Sequence, residues 1–513
     1  MSQESTGQPR GSAVGRRLPM VVAATLTVFL AVALTGLADL ADSDQPTLAR
    51  VTVSLAAGVA PVPIPRSYLG LSTEYWALPL YAHQLTLFER VLRLAHVPAN
   101  GPMILRVGGD SADHSFWDPD VHRLPPWAFS LSPQWTQLTS HIVRTGGLRL
   151  IIDLNLITDT PARAAAWAKA ARAYLPRASI VGFEIGNEPD LYSHSYWGRM
   201  TAGRLVASAS LPAAITARDY VRDFRAYSAA LASVAPRVRL IGPALSHPVS
   251  QRRWITQLLA ARPRGLGMIS VHRYPYSACL PPWSSRSPTV QRLLSDHAST
   301  GQARQLAPVL TAARGAGLPV RLTELNSVTC GGRPGVSDTF ATALWAPATL
   351  LALLQAGADG VNVHVRANTI NAPFALSARG LSARPLLYGL IMAADTLSGG
   401  VRLLPLHLTA PRATHVSTWA VQTRLGALHV LVIDRGRIGV RVALRLPGHG
   451  GAVVQRLQAA SPRARSGVRL GGQRLGTRGQ WLGRASRQAV ARTRRGYVVD
   501  VPRFSAALVT VPR

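Results

Sequence analysis

The chain has 513 residues, 47% of them hydrophobic and 16% charged, which excludes a globally disordered protein and provides for two or three domains with a large core. Its formal net charge is +32, yet Lys169 is the single lysine among 56 basic residues, and the arginines are scattered without dense blocks or interleaved aromatics. That distribution argues against a nucleic-acid groove and leaves a positive field that attracts acidic polymers.

Arg16 and Arg17 precede an uncharged run of 21 residues, Leu18 to Ala38, which Asp39, Asp42 and Asp44 follow. Residues 1–38 therefore read as an export signal or an N-terminal membrane anchor, with the bulk of the protein outside the cytoplasm, secreted or anchored. The run is long enough to span a bilayer, and Gly36-Leu37-Ala38 offers a small-residue cleavage site, so both readings stay open. A linker at 39–48 leads into a segment, 49–65, that holds Val51-Thr52-Val53 and then Pro61, Pro63 and Pro65. The prolines exclude helix and confine any strand to an edge, which assigns this segment to the β-rich C-terminal part.

From Tyr68 apolar runs alternate with helical stretches, and eight strands are expected: Tyr68–Thr73, Ile104–Val107, Leu148–Leu154, Ile180–Ile185, Val238–Ile241, Met268–His272, Val320–Thr323 and Val361–Val365. Helices are expected between them, as at Pro161–Tyr174, where Thr160 is a good N-cap and Pro161 fits the first turn, and at Thr216–Val234. This pattern over residues 66–398 predicts a (β/α)8 barrel. The rival, an open doubly wound sheet, wants a glycine-rich phosphate loop after its first strand, and Gly70-Leu71-Ser72-Thr73-Glu74 is not one. From 399 to 513 helical periodicity gives way to short alternating runs separated by Gly, Pro and Arg turns, which predicts an antiparallel β-sandwich. Asp434 and Asp500 are its only acids against 20 arginines, so it carries no cluster of carboxylates for chemistry.

Polar residues gather where the barrel strands end, the face on which parallel α/β barrels place their chemistry. Arg106 lies near the end of the second strand, Asp153 and Asn155 follow the third, Asn187 and Glu188 the fourth, His272 and Tyr274 the sixth, Glu324 and Asn326 the seventh, His364 and Arg366 the eighth. Pro189 stops the fourth strand and pushes Glu188 out of the helical region. Glu188 and Glu324, on strands four and seven, face one cavity across the barrel mouth. Cleavage of a glycosidic bond needs such a pair, one carboxyl to protonate the leaving oxygen and another to attack or to activate water. Asn187 is suited to donate to a sugar 2-hydroxyl, and Tyr274 to hydrogen-bond Glu324 and keep it ionised. Glu184, four residues before Glu188, reads as structural. Tyr75, Trp76, Trp117, Tyr276 and Trp283 stand where rings stack on sugar faces or simply pack. The two cysteines, Cys279 and Cys330, follow neighbouring strands six and seven, so one disulfide beside the pocket is the economical reading for an exported chain.

Gly182-Phe183-Glu184-Ile185-Gly186-Asn187-Glu188-Pro189, Thr323-Glu324-Leu325-Asn326-Ser327-Val328-Thr329-Cys330-Gly331-Gly332 and Gly335-Val336-Ser337-Asp338-Thr339-Phe340 together resemble glycoside hydrolase family 79, the β-glucuronidases and heparanases. Leu69–Glu74 and Leu105–Asp113 fit its early strands, and the resemblance covers about residues 65–400. It implies a retaining hydrolase with Glu188 as acid/base, Glu324 as nucleophile, Tyr274 orienting the nucleophile and Asn187 holding the sugar. It further implies that Glu74 and Asp110 contact the hydroxyls of the terminal sugar. The uronate carboxyl would be met by the loop Val328–Gly332, with Thr329, Cys330 and Gly331, and by a more distant tyrosine, Tyr388. Thr329 stands where heparanase-like members carry a tyrosine, and its hydroxyl reaches less far.

The sequence reading is thus an exported retaining exo-β-glycosidase, a β-glucuronidase acting on a small glycoside or an acidic saccharide, with no cofactor, no metal and no nucleic-acid partner. The alternatives are an endo-acting heparanase-like or hyaluronidase-like hydrolase of acidic polysaccharide, and a non-catalytic envelope protein that binds glycan. A binding module has no need of both acids.

Overall fold

The computed structural model describes residues 48–122, 124–193, 214–367 and 369–513, and the expected export segment Leu18–Ala38 lies outside them. Among the described residues no helix is long and apolar enough to cross a membrane.

Eight parallel strands close into a barrel: Leu69–Glu74, Ile104–Gly108, Arg149–Leu154, Ile180–Ile185, Arg239–Leu245, Leu266–Arg273, Val320–Leu325 and Gly360–His364. Closure comes from the eighth pairing with the first, with His364 opposite Ser72. Each strand is followed by an outer helix, and the long helix Ala217–Val234 shows why the chain turns where it does. Thr216 is its cap, not its first residue: the Thr216 hydroxyl accepts from the Asp219 amide, and the Asp219 carboxylate accepts from the Thr216 amide. Thr160 caps Pro161–Tyr174 one way only, its hydroxyl accepting from the Arg163 amide, with proline in the first turn.

Strand side chains alternate between faces, and this places the site. Ile104, Ile151, Ile241 and Met268 form one apolar layer inside the barrel. Two positions further along the second and third strands, Arg106 and Asp153 point into the same lumen one layer nearer the C-terminal mouth. The strands thus change from apolar to charged as they approach that face.

The sandwich has two sheets sharing a core that includes Val51, Val53, Val430, Val442, Val499 and Val509. One sheet runs Leu406–Thr409, Ala49–Leu55, Val440–Arg445, Tyr497–Val501. The other has Val62–Pro63 at one edge, paired with Gly400–Leu404, as the proline-rich sequence requires. One pair departs from the antiparallel expectation. Ala49–Leu55 runs parallel to Val440–Arg445, from which the whole barrel separates it in sequence, so no hairpin fixes its direction. The helices after the seventh and eighth strands, Phe340–Ala356 and Pro385–Leu397, are buried almost all round, since the C-terminal region covers their outer faces. The first free amides of the former are satisfied from there: Phe340 donates to the Ala464 carbonyl at 2.8 Å and Ala341 to Pro462 at 2.9 Å.

Candidate active site

At the C-terminal mouth of the barrel is a cavity of about 830 Å³, whose wall includes Asp110, Glu188, Tyr274, Glu324, His364 and Arg366. Oxygen atoms of Glu188 and Glu324 and a ring nitrogen of His272 all lie within 4.8 Å of one another. Glu188 takes up left-handed backbone, φ 48° and ψ 50°, immediately before Pro189. That conformation costs a non-glycine residue about 1–2 kcal/mol. It is held by the Glu188 amide donating to the Ala244 carbonyl at 3.2 Å and by the Leu191 amide donating to the Glu188 carbonyl at 2.8 Å. Asp190 fastens the same loop to its neighbour, its carboxylate accepting from the Ser246 and His247 amides at 2.9 Å each.

Arg106 is the node beneath the two glutamates. Its Nε donates to Glu184 at 2.8 Å, Nη1 to Glu324 at 3.0 Å, and Nη2 to Asp153 at 2.8 Å and to the Asn187 amide oxygen at 2.9 Å. A further contact from Nη1 reaches the Ser72 hydroxyl at 3.5 Å. The guanidinium is fully buried, so its carboxylate partners keep it charged against the cost of desolvation. Glu184 is ion-paired to Arg106 inside the barrel. Because the Asn187 oxygen is turned to Arg106, its NH₂ group remains as a donor beside Glu188.

Glu324 is held from several sides. Its Oε1 accepts from the Tyr274 hydroxyl at 2.5 Å and lies 3.3 Å from His364 Nδ1. Burial alone would raise its pKa, but the charges of His364, His272 and Arg106 and the Tyr274 hydrogen bond outweigh it and lower the pKa to about 2. His364 moves the opposite way. Burial opposes its protonation, but the Glu324 and Glu74 carboxylates raise its pKa. His364 also meets the Tyr274 hydroxyl at 2.8 Å, so tyrosine, histidine and nucleophile candidate form one group. His272 Nδ1 lies 3.0 Å from Glu188 Oε1, giving the second glutamate a histidine of its own.

Thr329, Cys330, Gly331 and Cys279 line the cavity, and the disulfide Cys279–Cys330 is formed. Cys330, Gly331 and Gly332 all have positive φ, of 58°, 74° and 90°, a backbone that the two glycines adopt without strain. Asp110 reaches the cavity and pairs with Arg366 Nη1 at 2.8 Å; burial and the Glu74 charge raise its pKa to about 6. Glu74 and Asn187 lie just behind the wall, Glu74 fully buried and accepting from the Ser111 amide at 2.9 Å. The structure does not bring Tyr388 to the cavity. It sits in Pro385–Leu397, where its hydroxyl accepts from the Leu475 amide at 2.8 Å and its ring meets Trp481 edge-on. Tyr75 and Trp117 pack against Trp167 inside the fold, and Trp283 is exposed away from the cavity wall. Arg106 and His272 were visible only as residues at strand ends. What marks them is the set of acids they contact, which requires the closed barrel.

No protein-family model matches the chain. A curated relative, a β-glucuronidase of Aspergillus niger, is 23% identical over 469 residues, covering 80% of this chain and 83% of that protein. Among solved structures, a 4-O-α-L-rhamnosyl-β-D-glucuronidase from Fusarium oxysporum superposes with a TM-score of 0.70 at 18% identity, over 90% of this chain and all of that one. A GH51 arabinofuranosidase from Xanthomonas axonopodis pv. citri follows with a TM-score of 0.64 at 14% identity, again over 90% of this chain and all of that one. The barrel-plus-sandwich architecture is therefore one that glycoside hydrolases share.

Proposed function

We propose that the chain is a glycoside hydrolase of family 79 type, a retaining exo-β-glucuronidase that acts outside the cytoplasm. The observation that carries this reading is the pair Glu188 and Glu324, with oxygen atoms within 4.8 Å over one cavity. Retaining glycosidases hold their two carboxyls about 5–5.5 Å apart, whereas inverting ones leave room for a water between them. The β-glucuronidase relative supports the substrate class.

In the first step Glu324, ionised because of its cationic surroundings, attacks the anomeric carbon while Glu188 gives its proton to the leaving oxygen. The C–O bond to the leaving group breaks and a glycosyl ester on Glu324 forms. In the second step Glu188 takes a proton from water, whose oxygen attacks the same carbon and releases Glu324. His272 positions Glu188, and Tyr274 with Arg106 holds Glu324 in line. Asn187 donates to the 2-hydroxyl, while Asp110 with Arg366, and Glu74 behind them, receive the remaining hydroxyls. Thr329 and the Cys330–Gly331 backbone meet the uronate carboxyl, without help from Tyr388.

The test is a rate panel on aryl β-D-glucuronide, β-D-glucoside, β-D-galactoside and β-D-xyloside. The reading expects the glucuronide to lead. Preference for a neutral sugar would retain the hydrolase and remove the uronate assignment.

A further inference from the structure

Beside the active-site cavity is a second one of about 600 Å³, and the two share His247, Tyr274 and Arg286 in their walls. Arg273, Arg286 and Arg292 all face the second cavity, and none of the described residues lining it is acidic. Arginines at a protein surface are ordinarily matched by carboxylates or by water, and a concave site with three of them and no acid is electrostatically incomplete.

Each arginine has a distinct standing. Arg292 is fixed, its Nη1 donating to the Ser284 and Ser287 carbonyls at 2.8 and 2.7 Å. Arg273 has one side-chain partner, the neutral Gln305, and its Nε is buried with no partner. Burial and the charge of Arg286 together bring Arg273 down to about 10, and among the described residues neither arginine is ion-paired with an acid. Arg286 is carried on the loop that the Cys279–Cys330 disulfide fastens beside the reacting glutamates, with its carbonyl accepting from the Ser277 amide at 3.0 Å. Asp296, the acid nearest in sequence to the wall residues Ser295 and His297, is turned away. It pairs instead with Arg435 at 2.7 Å and His415 at 3.2 Å, on the sandwich. Residues 194–213, which follow the Glu188 loop in sequence and lie outside the described residues, contain no Asp or Glu.

Asp190 links the wall of this cavity to the Glu188 loop. Its carboxylate ties the Glu188 loop to the Ser246 and His247 amides, and His247 lines both cavities. A general acid must reach the leaving oxygen, so space on its own side receives the leaving part of the substrate.

We propose that the second cavity binds an anionic group (a carboxylate, sulfate or phosphate) on the leaving part of the substrate, with Arg273 and Arg286 as its direct partners. This rests on Glu188 being the acid of a glucuronidase, and it makes the preferred substrate a glucuronide of an acidic compound or saccharide. Arg292 adds fixed charge behind them. Charge-assisted hydrogen bonds of this kind are each worth roughly tenfold or more in affinity.

The experiment compares biphenyl β-D-glucuronides that differ only in the distal substituent, neutral methyl ester against carboxylate, sulfate and phosphate. The ratio of kcat/KM, anionic over neutral, should be about tenfold at low salt and fall toward one at high salt. Arg273→Gln and Arg286→Gln should each bring the ratio toward one, and which anion loses most identifies the natural chemistry. Because a ratio is read, partial loss of folded protein in either variant does not disturb it. Neutral glucuronides cleaved as well as anionic ones, or a ratio untouched by both substitutions, would overturn the anion site and leave the glucuronidase standing. Failure to cleave any β-glucuronide would overturn both.

Discussion

Arg106 and Glu324 come from strands on different sides of the barrel, 218 residues apart, and meet at 3.0 Å from Nη1 to Oε2 with the guanidinium wholly out of solvent. The same guanidinium also holds Asp153 and Glu184. One cation therefore balances several buried acids, and removing it should damage fold and chemistry together. Arg106→Met is expected to lower stability by about 3–5 kcal/mol, the usual cost of orphaning a buried ion-pair partner. Urea unfolding followed by circular dichroism measures it; a loss within 1 kcal/mol would mean that the acids are neutral without Arg106.

The acid limb of activity is a second consequence. Glu324 has a folded pKa of about 2, below its ordinary value of 4.5, so its ionisation stabilises the fold above about pH 4.5 and that contribution is lost as pH falls toward 2. His364 is shifted upward from 6.5, so its contribution is complete below that value and disappears as pH rises through its folded pKa. Tyr274→Phe removes one of the bonds that keep Glu324 ionised. The kcat/KM profile of that variant should have an acid limb displaced upward, with kcat lowered about 10- to 100-fold. An unshifted limb would separate Tyr274 from the nucleophile's ionisation.

Glu188 should reveal itself through the leaving group. Glu188→Gln is expected to cut kcat/KM about a thousandfold on poor leaving groups and far less on dinitrophenyl glycosides, which depart without a proton. Equal losses on both would remove Glu188 from acid catalysis.

Arg435 crosses from the sandwich to the barrel. It is nearly fully buried, donating to the Ser299 hydroxyl at 2.6 Å, Ser417 at 2.7 Å and Asp296 at 2.7 Å. Arg435→Ala removes the donor from both serines and leaves Asp296 with His415, and is expected to cost about 2–3 kcal/mol, read as a lower Tm by calorimetry, with catalytic constants close to wild type. A large fall in kcat at unchanged Tm would instead couple this contact to the active site.

The barrel was legible because apolar strands end abruptly in polar residues, as Ile180–Ile185 does before Asn187 and Glu188. Thr160 and Thr216 mark helix starts by their own chemistry. Tyr388 could not be placed this way. A tyrosine in an apolar helix carries no sign of which neighbour its hydroxyl will meet, and here that neighbour is Leu475 of a C-terminal excursion without strong periodicity. Arg106 posed the same difficulty in reverse. It stood in plain view at a strand end, but its function depends on Asp153, Glu184, Asn187 and Glu324 converging from three other strands. Pairings over such separations belong to topology, as does the parallel course of Ala49–Leu55.

The most direct test of the central claim is covalent trapping with 2-deoxy-2-fluoro-β-D-glucuronyl fluoride, followed by mass spectrometry of the digested protein. The account predicts one sugar per chain, attached through an ester to Glu324. A label on any other residue, or full turnover with inverted product and no label, would contradict it.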